Sequence, residues 1–450
     1  MTGLESDTIA AIATARGNGP VGIIRLSGPQ ALTIAQTITS AELNARFAHY
    51  ASFTDSTGST LDTGLALYFP GPNSFTGEDV VELQGHGGHI VLQTVLHRCL
   101  DLGARSARPG EFSERAFLNG KIDLLQAEAI ADLISAESET AAKLASTSLT
   151  GAFSGYVNTL AEQLNELRAL TEASIDFPDE DIDVLERHSV IKRLEDCRET
   201  LSALLDNVAK SQRKTQTYTA VLYGAPNAGK SSLLNALAHD DVAIVTPLPG
   251  TTRDTLKQQV TIGELTLEII DTAGIRETHD VIEQEGVKRA RDSAATADLI
   301  IHVIDDADKP ADNNECDDQT SSNLTLKVHN KIDQSGRTAG VSVSNDNLIE
   351  VAISATTGEG LSTLKTTIEE LLLGEGHQNS QFSVRQRHVE ALSDAIEKLG
   401  DALSAFSVHN AAELLSEDLK LVQASIDSLT GKVSSDDILG QIFSSFCIGK

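Results

Sequence analysis

Residues 224–231, Gly-Ala-Pro-Asn-Ala-Gly-Lys-Ser, constrain this chain more than any other stretch, because they satisfy GxxxxGK[ST] without a mismatch. The motif needs a strand running into a loop and the loop into a helix. Its flanks supply both: an apolar run at 218–223 and a helical run at 232–237. The glycines let backbone N–H groups close around phosphate oxygens, and the helix N-terminus adds a favourable potential. Lys230 then neutralises β- and γ-phosphates, and the Ser231 hydroxyl is a Mg²⁺ ligand. Asn227, Ala228, Gly229 and Ser232 complete the candidate phosphate-binding loop.

Two downstream tetrads and a dipeptide select the nucleotide. Asp271-Thr272-Ala273-Gly274 ends an apolar strand, which places the Asp271 carboxylate near the metal and the Gly274 amide near the γ-phosphate. Asn330-Lys331-Ile332-Asp333 follows another strand, and a carboxylate there accepts from guanine N1–H and N2–H₂. Adenine offers no donors in that arrangement, so a buried acceptor would go unpaired. Ser354-Ala355 ends a third strand, where a backbone amide meets guanine O6. In order and at these spacings, the four elements predict a GTP site. A switch segment at 250–254, Gly-Thr-Thr-Arg-Asp, offers Thr252 as a second Mg²⁺ ligand, with Thr251 as the near alternative. Where Ras-like proteins carry a water-orienting Gln after DxxG, this chain has Ile275, which can neither donate nor accept. Hydrolysis must borrow another polar group, and the carboxylates of 276–285 leave several choices open.

The chain of 450 residues carries 35 basic and 65 acidic side chains, a formal net charge of −30, and 40% apolar residues. That apolar share supports hydrophobic cores and excludes wholesale disorder. No run reaches the ~18–20 apolar residues of a membrane span, and no basic n-region precedes an apolar run at the N-terminus, so neither insertion nor secretion is expected. Cys99, Cys197, Cys316 and Cys447 form no CxxC pair, which argues against a disulfide scaffold or structural zinc and for a reducing cytoplasm. So acidic a chain must meet nucleic acid through local patches, of which Lys210–Lys214 and Arg385-Gln386-Arg387 are the nearest candidates. The acid-rich run 305–319 reads as a solvated loop.

Hydrophobic periodicity divides the chain into regimes. Short β-branched runs at 8–13, 21–26, 64–69 and 80–83 alternate with turns, Ser27-Gly28-Pro29 reads as a helix start with Ser27 as N-cap, and a helix is expected from 89 to 102. Gly17-Asn-Gly19-Pro-Val-Gly22 satisfies GxGxxG but runs into strand-like Ile23–Leu26 where a dinucleotide fingerprint must open a helix. From 111 to about 212 the pattern is helical, through Leu124, Ala127, Ala131 and Ile134 and then Leu160, Leu164, Leu167 and Leu170. It resumes after 380 through Val389, Leu392, Ile396, Leu399 and Leu403 to Leu421 and Ile426. Strands and helices alternate between, as in a parallel α/β sheet. The expected architecture is multidomain: an α/β domain at 1–119, an all-α domain in two parts at 120–213 and 377–450, and a P-loop α/β GTPase domain with a parallel sheet inserted at 214–376. Independent domains in a row are the simpler alternative.

GAPNAGKSSLLN, the switch GTTRD, DTAGIR, the tail Cys447-Ile-Gly-Lys450, and the long strings at 72–88 and 107–134 together resemble the bacterial tRNA uridine-5-carboxymethylaminomethyl modification GTPases, the MnmE/TrmE family. One departure, Ala225 where many members carry Arg, faces away from the phosphates in the generic loop. The resemblance implies K⁺ in place of an arginine finger, an element worth ~10³–10⁵ in rate in other GTPases. By motif the K⁺ falls to Asn227, Thr246, Leu248 and Thr251, Mg²⁺ to Ser231 and Thr252, and the water-orienting carboxylate to Glu283. It further implies that Arg25, Glu82, Lys121 and Lys450 contact 5-formyltetrahydrofolate in an N-terminal domain like folate-binding one-carbon-transfer modules, and that Cys447 belongs to the modification site. By the residues alone, Arg25, Glu82 and Lys121 read as salt-bridged or solvated, and Cys447 as a small buried hydrophobe. The function implied is that of a cytoplasmic, K⁺-stimulated, Mg²⁺-dependent GTPase, homodimeric and partnered by a GidA-type FAD-containing subunit. It would modify C5 of tRNA wobble uridine with a folate one-carbon unit. The rivals are a regulatory or ribosome-assembly GTPase and a folate-binding scaffold with a vestigial GTPase.

Overall fold

The computed structural model describes residues 7–449 other than 16, 137, 177–186, 240–256, 272–296, 309–323, 344–347, 375–381, 433–435, 445 and 447–448. They form two compact units. One comprises Met1–Ser135, Ser146–Ser202 and Glu390–Lys450, the other Ala136–Ala145 and Ala203–Val389. Among the described residues no helix is long and apolar enough to cross a membrane.

In the first unit, β1 (Ile9–Ile12), β2 (Gly19–Ser27), β3 (His49–Thr54), β4 (Thr60–Phe69), β5 (Val80–Gly87) and β6 (Arg105–Ser106) make a sheet of order β3-β4-β5-β2-β1-β6. Its pairings are antiparallel except β1 with β6. Side chains alternate across it. Ile24, Leu26, Val81 and Leu83 turn to one face, where helices Ala31–Thr39 and His89–Asp101 cover them with Ile34, Ile38, Leu92 and Val95. The glycine-rich stretch enters β2 at Gly19 and opens no helix, as its sequence indicates. The helix expected to start at Ser27 begins instead at Ala31. Ser27 ends β2, and its hydroxyl donates to Glu78 Oε2 at 2.6 Å, so it does not cap; at the helix entrance Gln30 N donates to Thr8 Oγ1 at 2.8 Å.

The helical part of this unit packs by heptad-like spacing. Val157, Leu160, Leu164 and Leu167 of helix Ala152–Asp176 are buried, and so are Leu415, Leu419, Val422, Ile426 and Leu429 of helix Ala412–Thr430. Ser416 reaches Glu172 at 3.3 Å and Lys432 reaches Asn158 at 3.2 Å, so the two helices run antiparallel. Each such apolar side chain contributes ~1.5–3 kcal/mol. Two residues expected in apolar stripes point outward instead: Leu421 is 54% exposed because Val422 takes the inward place, and Ile134 is 44% exposed because the last turn of helix Leu124–Ser135, residues 133–135, is exposed throughout.

Helix Glu111–Leu118 anchors the sheet with a buried ionic network. Arg115 Nη2 bonds Asp7 Oδ1 at 2.6 Å and Glu111 Oε1 at 3.2 Å, its Nη1 reaches both Glu78 oxygens at 3.1 Å, and Arg105 Nη2 bonds Glu111 at 2.6 Å. Burial alone raises the Glu111 carboxyl, but bonds from Arg105 and the Arg108 amide more than offset it and hold the group below the usual glutamate range. A carboxyl lowered on folding stabilises above its unfolded value, and that stability drains away as pH falls through the folded one.

The second unit holds β7 (Thr217–Tyr223), β8 (Lys257–Ile262), β9 (Leu265–Asp271), β10 (Leu299–Asp305), β11 (Leu324–Asn330), β12 (Gly340–Val343) and β13 (Ile349–Ala352), in the order β12-β13-β11-β10-β7-β9-β8. The inner five pair in parallel; β8 and β12 are antiparallel edges. Leu222, Ile269, Ile301, Val303, Leu326, Val328 and Val351 are buried with Leu233 and Leu237 of helix Lys230–His239 and Leu364 and Ile368 of helix Leu361–Leu373. By their register these strand residues share one face of the sheet, and both helices pack on that face. The carboxyl ends of the parallel strands share one edge, where α/β sheets bind ligands. One expectation is corrected here: Asp305 ends β10 and Asp306 is tied to Arg337, so the acid-rich run does not begin as a solvated loop. Its residues from 309 lie outside the described set.

Replacing Arg115 with Met leaves buried Glu111 and half-buried Glu78 and Asp7 without their shared cation, and breaking such a pair costs about 3–5 kcal/mol. Urea unfolding should register that loss at neutral pH. The gap between wild type and Arg115→Met should narrow as pH falls below about 4.5, the ordinary glutamate value.

Candidate functional site

The phosphate-loop motif leaves β7 at Tyr223 and enters helix Lys230–His239, the strand-loop-helix context its sequence demands. Two glycines are required by contact. A Cβ on Gly224 would lie 2.2 Å from the Val303 carbonyl oxygen, and one on Gly229 would lie 2.2 Å from Asn330 Nδ2; both backbones have positive φ, +149° and +93°. Asn227 is itself left-handed, at φ 64°, so the chain curls tightly between them. Lys230, only 7% exposed, turns its ammonium into the loop and donates to the carbonyls of Gly224 at 2.8 Å and Ala225 at 2.9 Å. Ser231 and Ser232 are exposed on the first helical turn, and Ala228 is buried.

Asn330 joins three loops. It is 2% exposed at the end of β11; its Nδ2 donates to the Ala228 carbonyl at 3.0 Å, and its Oδ1 accepts from the Ala355 amide at 3.0 Å and from Lys331 N at 2.9 Å. Its sequence reading as part of a base-recognition tetrad misses this bracing role, which only the neighbouring strand order reveals. Three residues on, exposed Asp333 accepts from Ser354 Oγ at 2.7 Å, which fixes one carboxylate oxygen and turns the group toward the 354–355 turn. Lys331 Nζ donates to Asp305. Burial raises the Asp305 carboxyl, but the Lys331 bond and charge together with the backbone amides of Ala307 and Asp308 outweigh it and keep the group below the usual aspartate range. Asp305 thus belongs to the site's frame, a role that its place in an acidic run conceals.

The structure therefore brings together Asn227, Ala228, Gly229, Lys230, Ser231 and Ser232 with Asn330, Lys331, Asp333, Ser354 and Ala355 in the second unit. Asp271 closes β9, where it pairs in register with Leu222 of β7, beside the phosphate loop's strand. Thr246, Leu248, Thr251, Thr252, Thr272, Ala273, Gly274 and Glu283 lie outside the described residues, as do Cys447 and Lys450. The collected set is rich in backbone amides, one buried ammonium and hard hydroxyl oxygens, which suits a polyphosphate with a small divalent cation.

The remaining candidates lie in the first unit. Arg25 and Glu82 are cross-strand partners of β2 and β5, joined at 3.1 and 2.9 Å, so the bland salt-bridge reading of this pair describes their contact. Gln84 Nε2 donates to the other Glu82 oxygen at 3.2 Å. The Arg25 guanidinium also sits 5.7 Å from the Phe75 ring centre and 5.8 Å from that of Phe112. Exposed Lys121 runs its side chain along Gly77, so Arg25 and Lys121 both border the loop 70–79. Among the described residues, no cluster of His, Cys, Asp and Glu forms a metal cage.

Asn330→Ala leaves the Ala228 carbonyl and the Ala355 amide without their partner, at ~1–3 kcal/mol each. Unfolding of the nucleotide-free protein should shift by that sum; an unchanged midpoint would reduce Asn330 to a ligand contact.

Comparison with known proteins adds the whole-chain context. A family model described as the MnmE helical domain matches residues 124–447, and one described as the GTP-binding protein TrmE N-terminus matches residues 8–121. The tRNA modification GTPase MnmE of Pseudomonas syringae pv. syringae is 50% identical over 451 residues, and that of Pseudomonas aeruginosa 48%, each covering 99% of both chains. The G domain of the T. maritima FeoB iron transporter is 25% identical over 35% of this chain and 99% of its own, with a TM-score of 0.25. Full-length identity near one half, with both family models matched in order, places the chain in the MnmE family of tRNA modification GTPases.

Proposed function

We propose that this chain hydrolyses GTP with Mg²⁺ and K⁺ and couples that hydrolysis, with a flavoprotein partner, to installing a carboxymethylaminomethyl-type group at C5 of the wobble uridine of tRNA. Membership of a family of tRNA modification GTPases carries the coarse statement, GTP hydrolysis in the service of tRNA modification. The observation that favours a guanine nucleotide is the joint placement of Asp333, Ser354 and the Asn330 brace beside the phosphate loop.

The mechanism follows from the chain's own groups. The loop amides and Lys230 receive the β- and γ-phosphates, Lys230 exchanging the carbonyls it now holds for phosphate oxygens. Asp333 accepts from the guanine edge while Ser354 holds it in place. The Ser231 hydroxyl, exposed at the helix start, suits Mg²⁺ together with Thr252, and that ion would neutralise phosphate charge. Asn227 and the oxygens of Thr246, Leu248 and Thr251 suit a monovalent cation, in keeping with the left-handed turn at Asn227. Thr272, Ala273 and Gly274 would line the γ-phosphate, and Glu283 would orient the attacking water in place of the apolar Ile275. For the modification half, Arg25, Glu82, Lys121 and Lys450 are the proposed contacts to 5-formyltetrahydrofolate, with Cys447 at the reaction site. Partly paired charges beside Phe75 suit a flat heterocycle with a charged tail. Two copies of the chain would face each other across their nucleotide loops and join a GidA-type FAD-containing subunit in the cytoplasm, with domains at 1–119, 120–213 with 377–450, and 214–376.

Mass spectrometry of tRNA nucleosides from cells lacking this protein tests the whole reading: the modified wobble uridine should disappear, and its persistence would exclude the assignment. Glu283→Ala should bind GTP normally and lose at least about a hundredfold in turnover, and replacing K⁺ by Na⁺ should slow the wild-type enzyme; turnover indifferent to both changes would remove Glu283 and K⁺ from the mechanism. Asp333→Asn should weaken GTP by about tenfold or more and favour xanthosine triphosphate, read out by competition for the site.

A further inference from the structure

The turn that carries Asp333 has an anchor of its own. Helix Ile332–Ser335 is a single turn and Asp333 is exposed, so the carboxylate's position depends on what holds the chain on either side of it. Beyond Asp333, Ser335 Oγ donates to Asp306 Oδ2, and Arg337 Nη1 donates to Asp306 Oδ1 at 3.1 Å. Before it, the Asp306 amide donates to the Asn330 carbonyl at 2.9 Å. One residue thus grips the segment 330–337 at both ends. Asp306 is fixed in turn by neighbours from other strands: His329 Nδ1 lies 3.3 Å from its Oδ1, His329 Nε2 lies 3.2 Å from Glu350 Oε2, and Arg337 Nη2 lies 3.9 Å from that same oxygen. Burial raises the Asp306 carboxyl, but bonds from Ser335 and Arg337 and the charges of Arg337 and His329 outweigh it, so the ionised acceptor is the form that grips.

We propose that Asp306 is a positioning residue for nucleotide selectivity: through Ser335 and Arg337 it sets the turn 331–337 and so the angle at which Asp333 meets the base. The inference rests on the reading of Asp333 as the guanine acceptor. A carboxylate that reads two adjacent donors needs both its place and its plane fixed. Ser354 holds one oxygen, and the Asp306 tether fixes the backbone from which the side chain springs. Nothing local in the sequence marks this arrangement, since Asp306 stands inside an acidic run and Arg337 is a lone cation in a polar turn.

The test measures steady-state turnover of GTP and of inosine triphosphate, which lacks the 2-amino group, in wild type, Asp306→Ala, Arg337→Gln and Asp333→Asn. Asp306→Ala should raise KM for GTP about tenfold with kcat within about twofold, and should cut the preference for GTP over inosine triphosphate severalfold. Arg337→Gln, at a partly exposed site, should show the same signature more weakly and decides the matter if Asp306→Ala does not fold. If Asp333→Asn shifts nucleotide preference while both tether variants keep wild-type KM and preference, even with a lowered melting temperature, the positioning role is overturned. If Asp333→Asn itself leaves preference unchanged, the guanine reading fails and takes the proposal with it.

Discussion

The side-chain amide of Asn330 is the contact on which the nucleotide face depends. It is nearly inaccessible, and it satisfies a phosphate-loop carbonyl with its donor and the amide of the 354–355 turn with its acceptor. Three loops that are remote in sequence are therefore set relative to one another by one planar group. Gly229 has to be glycine for the same reason, since any Cβ there would collide with that amide. Rigidity of this kind is what lets a site bind phosphate and base at a fixed separation.

How much of this is legible in the sequence depends on how local the determinant is. The phosphate loop, the meeting of segments 330–333 and 354–355 beside it, and the parallel sheet are readable because each rests on short motifs bounded by strands whose apolar runs are themselves diagnostic. Ser27 misleads because a Ser-Gly-Pro string has the right chemistry for a cap, and only the fold shows that half-buried Glu78 claims its hydroxyl. Leu421 misleads because a stripe extrapolated over several turns drifts, and a one-position error exchanges inside for outside; Ile134 misleads because its helix ends in a turn exposed on every side. Asp305 and Asp306 are hidden by composition: among many acids, nothing local marks the two whose cations arrive from the loop after the next strand.

The first unit shows a different balance. Arg115 and Glu111 form a buried ionic cluster against the sheet, held in place by many mutual bonds. Arg25 and Glu82 form a lighter pair on the sheet face opposite helices Ala31–Thr39 and His89–Asp101, with Gln84 on the other Glu82 oxygen and two aromatic rings beside the guanidinium. The densely bonded cluster serves architecture, since its charges are matched by other protein groups.

The interleaved order of the two units has a consequence for synthesis. Helix Ala152–Asp176 finds its packing partner in helix Ala412–Thr430, and nearly all of the second unit is translated between them. At ~5–20 residues per second, the apolar seam through Leu160 and Leu164 waits roughly 10–50 s on the ribosome before its mate emerges. The nascent chain therefore passes through a stage in which the nucleotide-binding unit is complete while the unit that flanks it in sequence is still half-built, its apolar seam open to water.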